Sequence, residues 1–347
     1  MKIAVRVPPC APVPRLVELA RRMESGGIDG VSFPDSQLLW RDVWSTLTAC
    51  AMGTSTLELA VNVTNPVTRH PTVTAGAART VGELAPGRFR LGIGVGDSSV
   101  THIGHNKATG AELSRYVTAV RTLLRGDEVP DDVYPWKLIE PFEVPVLIAA
   151  SGPKNLAIAG RVANGAIIPG VFWDRGLSIV RDAALAAGRE PDALQHTMMR
   201  TCIITDDPVR DVAIFKVSCL RHAQMGGTAI FEEAGLPITV PSHDLGIGQD
   251  LGHPKDWDAA IQFAAKYVPD ETGLWYARSR ALFGTPEEVA GQLTEIAATG
   301  VQRLMLAQME SFKLPEDLVD SLINEVLPRV RQVLPGAGLA SNAAESQ

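Results

Sequence analysis

The chain has 347 residues, of which 46% are apolar and 20% charged, and a formal net charge of −7. That leaves ample material for a core, and the acidic balance argues against a nucleic-acid binder, which would show a basic stripe. No run of 18 apolar residues predicts a membrane span, and "MKIAVRVPPCAPVPR" lacks the regions of a signal peptide.

In chain order, strand-like apolar runs alternate with helix-period segments. "KIAVRV" (2–7) precedes a helix around 15–25, and "DGVSFP" (29–34) precedes one around 41–53. "LELAVNV" (57–63) leads into a helix at 72–84, and "RFRLGIG" (88–94) into one at 111–125. "VPVLIAA" (144–150) and "GAIIPG" (165–170) are followed by helices at 154–162 and 174–187. "HTMMRTCIIT" (196–205) is a seventh strand and "QRLMLAQ" (302–308) an eighth, with a last helix over 315–333. Short strands, apolar on both faces and separated by helices, predict a parallel sheet covered on both sides. Eight such units point to a (β/α)8 barrel in the α/β class.

Two regions interrupt the pattern. Residues 126–143 form an acidic, proline-rich connection without periodicity, and 226–283 is too long for a loop, so a helical insertion over the barrel's mouth is expected. The regular fold restarts at "GTPEEVAGQLTEIAATG" (284–300), where Thr285, Pro286 and Glu288 make a capping box around a helix start. The reading is one domain, 1–335, followed by a disordered tail at 336–347. Cys10, Cys50, Cys202 and Cys219 are scattered, without a C-x-x-C pair, which predicts reduced thiols and a cytoplasmic protein.

Several motifs bear on chemistry. "GRFRLGIGVGDSS" (87–99) is spaced G-x-G-x-G and follows the fourth strand, which disfavours a dinucleotide fingerprint. At a barrel rim, glycines let a flat ligand lie against the backbone, with Asp97 and Ser98 beside it; alternatively, Gly92 and Gly94 only relieve crowding. In "AASGPKNL" (149–156), Ser151 and Gly152 open a helix whose free amides suit a phosphate, although a plain strand-to-helix turn would look the same. Arg69 and His70 precede a helix begun by Pro71, and loop anchoring is the favoured role for Arg69 over catalysis. Arg41 and Asp42 can cap and pair, while Trp40 can line a pocket. His102 and His105 are spaced like metal ligands but have no second pair, so no metal is expected.

Four stretches in order carry a resemblance: "PDSQLLWRDVW" (34–44), "VNVTNPVTRHP" (61–71), "APGRFRLGIGVGDSS" (85–99) and "VPVLIAASGPKNLAIAGRVANGAI" (144–167). Together they resemble the luciferase-like flavin and deazaflavin oxidoreductases, in particular the methylenetetrahydromethanopterin reductase-like branch. The likeness runs along most of 1–205 and returns at 284–335; 226–283 has no counterpart. It implies a TIM barrel with an insertion near the mouth, a homodimer, and FMN or the deazaflavin coenzyme F420 as cofactor, the branch usually taking F420. It also implies a non-prolyl cis peptide on the third strand, matched by Asn62–Val63, against which the ring leans. Cofactor contacts then fall to Asp35, Asn62, Val63, Gly94, Val95, Gly96, Asp97 and Ser98. The phosphate falls to Ala149, Ala150, Ser151 and Gly152, with Gly170 and Val171 as a second wall. Asp35 matches the family's second-strand aspartate; the next position, often histidine in the family, is Ser36, which with Trp40 is assigned to substrate. Asp97, a carboxylate beside an apolar ring, leads the acid/base candidates, with Asp35 and His102.

These readings combine into hydride transfer between F420 and a small organic substrate. An FMN-dependent monooxygenase is the alternative within the fold, and a non-catalytic flavin-binding barrel the alternative of another class.

Overall fold

The computed structural model describes residues 1–224, 227–236, 238–241 and 251–333, so the expected tail at 336–347 lies outside the described residues. The first units run β1 (Lys2–Arg6), α1 (Val13–Ser25), β2 (Gly30–Phe33), α2 (Val43–Gly53), β3 (Glu58–Thr64), α3 (Pro71–Leu84) and β4 (Phe89–Ile93). A short helix α4 (Ser98–Thr101) and α5 (Gly110–Leu124) follow. Then come β5 (Val146–Ala149), α6 (Pro153–Val162), β6 (Gly165–Pro169), α7 (Trp173–Ala186) and β7 (Gln195–Ile204). β9 (Arg303–Ala307) closes the series. The ends agree with the sequence pattern because the caps are local: Asp42 accepts from the Ser45 amide at 2.8 Å, and Thr109 and Glu112 form a reciprocal box at the start of α5.

The strand order β6-β5-β4-β3-β2-β1-β9-β7, with β7 also paired to β6, is a closed ring of eight. Every pairing whose register is given is parallel. The fold is a TIM barrel. The eighth barrel strand is β9, and the ninth strand is an addition the sequence pattern did not reveal: β8 (Ala281–Gly284) pairs with the outer half of β7, Thr201 opposite Ala281. Four residues directly after a helix give no alternation to read.

The strands are not apolar on both faces throughout. Lys2 and Ala4 of β1 line the barrel interior with Ser32, Asn62, Gly92, Leu147, Ile167 and Met305, while the alternate residues Ile3, Val5 and Val7 are fully buried on the other face. At the N-terminal end of the strands Glu58 gathers Lys2 at 2.5 Å, Arg90 at 3.0 Å and Arg303 at 3.2 Å. Arg90 also donates to Gln195 at 3.1 Å. Burial opposes ionisation of Glu58, but Arg90, Lys2 and Arg303 outweigh it and hold the carboxyl below its usual range.

The described residues gather into two compact units. The first comprises Met1–Met199 and Ala297–Ala307 and holds β1–β6, the start of β7, and β9. The second covers Arg200–Ile296 and the chain from Gln308 onward. It contains the outer half of β7, β8 and the helices α8 (Pro208–Asp211), α9 (Ala213–Gln224), α10 (Ala229–Glu233), α11 (Trp257–Ala264) and α12 (Asp270–Arg280). After β8 come α13 (Pro286–Ala298), which finishes in the first unit, α14 (Glu316–Ser321), a π turn at Leu322–Val326, and α15 (Leu327–Val333). The described part of the insertion is therefore helical as far as β8 and shares a core with α9: Val217, Leu220, Phe231, Ala260 and Val268 are buried together, and Phe231 stacks on Tyr276 at 5.9 Å. The expected capping box forms, Glu288 accepting from the Thr285 amide at 2.7 Å and Thr285 from the Glu288 amide at 3.3 Å. No helix among the described residues is long and apolar enough to cross a membrane, and all four cysteines are free.

Candidate active site

In TIM barrels chemistry is carried at the C-terminal ends of the strands, and in the first unit the singled-out residues lie at or just beyond those ends. β3 departs from regular pairing there. The Asn62–Val63 peptide is cis, and the register against β4 shifts between Val61 and Thr64. Asn62 donates to the Met305 sulfur at 2.9 Å, and Ser32 donates to the same sulfur at 2.8 Å. Val63, partly exposed, lies on a buried floor of Leu147, Ile167 and Met305, with Ala149 and Met199 beside it.

The glycines of β4 divide between the two readings left open by the sequence. A Cβ on Gly92 would come within 2.5 Å of the Val61 carbonyl oxygen, so Gly92 relieves crowding inside the barrel. A Cβ on Gly94 would meet the Val63 side chain at 3.0 Å, so a bare position 94 leaves the surface of Val63 clear. Gly96 adopts φ +92°, which a side chain would strain.

Around this platform runs a polar rim. Asp35 is buried; it accepts from the Thr64 hydroxyl at 2.7 Å and pairs with Arg69, which reaches on to Asp42 at 3.3 Å. Arg69 is thus an anchor of the β2 and β3 loops, as the pattern suggested. Ser36 and Ser98 share a hydrogen bond of 3.1 Å, and Gln37 donates to the Ser99 carbonyl at 2.8 Å, so the loops after β2 and β4 are tied by one side-chain pair and one side-chain-to-backbone bond. Asn65 caps the turn after β3 by accepting from the Val67 and Thr68 amides, both at 2.9 Å. Trp40 is 7% exposed and holds the Arg6 guanidinium 5.9 Å from its ring centre.

Other candidates lie further out. Asp97 is not desolvated beside an apolar surface: its side chain is 57% exposed and pairs with Lys107 at 2.6 Å. His102, at the end of α4, is exposed. Val95 is half-buried, and its carbonyl accepts from the Ala108 amide at 2.9 Å. Ala149 and Ala150 are half-buried, and Ser151 and Gly152 are exposed at the start of α6, where nothing lies within 4 Å of a Cβ built on Gly152. Gly170 and Val171 sit half-buried in the single turn that follows β6. Sequence reasoning missed Arg6, Thr64, Asn65 and Met305. Asn65 carried a local signal, its Asn-Pro step being a turn starter, and Arg6 another, its alternation with Lys2 along β1.

A model of the luciferase-like monooxygenases matches residues 2–303. The chain belongs to that family. Over 207 residues it is 30% identical to a 5,10-methylenetetrahydromethanopterin reductase of Methanolobus tindarius, covering 55% of this chain and 62% of that protein. It is 32% identical over 228 residues to an F420-dependent glucose-6-phosphate dehydrogenase of Mycolicibacterium fortuitum, covering 57% and 67%. The chain thus spans about two thirds or less of the length of these two relatives. Among solved structures, the coenzyme F420-dependent tetrahydromethanopterin reductase of Methanopyrus kandleri superposes with a TM-score of 0.74 at 18% identity, over 95% of this chain and 99% of that one. The third-strand irregularity that the resemblance to this family implies is present at Asn62–Val63.

Proposed function

We propose that this luciferase-like protein transfers a hydride between F420 and a small organic substrate. The observation that carries the reading is the platform on β3: Val63, lifted by the irregular pairing, faces a position on β4 that has no side chain. A flat, partly apolar ring fits that surface, and a Cβ at position 94 would crowd it. The F420-dependent relatives favour a deazaflavin as the occupant.

Val63, Gly94 and Gly96 would hold the ring, and Asn62, fixed on Met305, sets the orientation of the bulge. The open start of α6 offers the amides near Ser151 and Gly152 to the phosphate, where the helix end favours an anion. When bound, the deazaflavin gives or accepts the hydride. The protein positions the partners and excludes water. Asp35, held by Thr64 and Arg69, keeps the rim in place, and Asp97, at the solvent edge, is where a proton can be exchanged with bulk water.

Fluorescence titration of the purified protein with F420 and with FMN tests the assignment. F420 is expected to bind at least about tenfold more tightly, a difference of about 1.4 kcal/mol. Ser151→Asp, which sets a carboxylate against the phosphate, is expected to weaken F420 by at least another tenfold. Retention of FMN without F420 binding would reverse the cofactor, and an unchanged affinity in Ser151→Asp would remove the start of α6 from the site.

A further inference from the structure

The inward face of β1 ends in a cation that nothing in the described structure neutralises. Arg6 follows Lys2 and Ala4 on the face that lines the barrel, in register with Ser32 of β2 and Ala307 of β9. Among the described residues it makes no hydrogen bond and no ion pair, and it lies over the ring of Trp40. The acidic groups of the neighbouring loop are already engaged. Asp35 takes Arg69 and Thr64, and Asp42 caps α2 and meets Arg69. Desolvation lowers the Arg6 guanidinium to about 10, which leaves it charged at neutral pH.

Arg6 is half-buried, and a partly desolvated charge without a counterion is a cost to folding. An aromatic ring contacts the face of a guanidinium and leaves its in-plane N–H fork free. That fork matches two oxygens of a carboxylate or a phosphate. Its place in the ring of strands narrows the source of those oxygens. The platform and phosphate end described above use β3, β4, β5 and β6, whereas Arg6 and Trp40 belong to β1 and the loop after β2, beside β9. That arc is left for the second reactant.

We propose that Arg6 anchors an oxyanion of the substrate, a carboxylate or a phosphate monoester, with Trp40 holding the guanidinium flat. This rests on the preceding reading only in reserving β3–β6 for the cofactor.

The test is calorimetric titration of the protein, free and F420-loaded, with benzoate, benzamide and inorganic phosphate, in the wild type, Arg6→Gln and Arg6→Lys. Benzoate or phosphate is expected to bind the wild type at least tenfold more tightly than the neutral benzamide, and whichever does so identifies the oxyanion. Arg6→Gln is expected to abolish that preference, and Arg6→Lys, which keeps the charge but not the fork, to retain part of it. The affinity for oxidised and reduced F420 is expected to stay within twofold in both variants. Equal binding of benzoate and benzamide by the wild type, with phosphate no better, would overturn the anchor. So would an undiminished preference in Arg6→Gln. Should that variant fail to fold, a preference in Arg6→Lys equal to the wild type's would count against the fork. A tenfold loss of reduced F420 with unchanged anion binding would move Arg6 to the cofactor and overturn the substrate assignment. If F420 does not bind at all, the cofactor reading falls while the titration of the free protein still decides Arg6.

Discussion

The two ends of β1 present the same kind of residue in opposite electrostatic settings. At the N-terminal end, Lys2 joins Arg90 and Arg303 around Glu58, and the carboxylate has three cations within 3.2 Å. At the C-terminal end, four residues on, Arg6 has only an aromatic face. The closed end satisfies itself and therefore serves stability. The open end leaves a demand that a ligand can meet. A barrel's two rims can thus be told apart by where charge is balanced internally.

The comparison is broken most severely at the closed end. Glu58→Ala would leave Lys2, Arg90 and Arg303 facing one another, and loss of about 3–5 kcal/mol in urea denaturation is expected, as for removal of one partner from a buried pair. Below the ordinary carboxylate value of 4.5 the wild type should lose the same support, because its depressed Glu58 protonates as pH falls through the folded-state value. A change under 1 kcal/mol would show that the cluster is solvated in practice.

A second intervention at the same end concerns a group held neutral. His196, at the start of β7, is lowered by burial to about 4 from 6.5. The unfolded chain therefore binds the extra proton between those values, so stability should fall as pH drops through that window, by on the order of 3 kcal/mol at its foot. His196→Gln should flatten that part of the profile; a curve parallel to the wild type's in denaturation from pH 7 to 4 would assign the dependence elsewhere. The smallest effect belongs to the solvent edge of the open end. Asp97→Ala removes an exposed pair with Lys107 and should cost less than about 1 kcal/mol of stability. It should lower turnover with F420 by severalfold and leave the binding constant unchanged, which steady-state kinetics beside titration would show. A normal rate would strip Asp97 of its proton-exchange role.

Much of this was legible in the chain. The strand and helix alternation located all eight barrel strands to within one or two residues, because most units carry a local cap or proline start, as at Asp42, Pro71, Thr109 and Pro153. The ordered motifs led to Asn62–Val63, Gly94 and the start of α6. Arg6 was passed over because "KIAVRV" reads as an apolar run. Its alternation places Lys2 and Arg6 on one face, and in a barrel clothed by helices the polar face has to turn inward. Asp97 was misjudged in its surroundings because the partner that draws it into solvent, Lys107, lies ten residues away across a loop with no periodicity. β8 and the contacts of Met305 depend on pairings distant in sequence, for which a single chain offers no local sign.

The sulfur of Met305 has one more consequence. It accepts one hydrogen each from the Ser32 hydroxyl and the Asn62 amide, and it does not titrate. A soft, neutral acceptor therefore stands between the platform and the charged groups of the barrel interior, Lys2, Glu58 and Arg90, which gather at the opposite end of the strands.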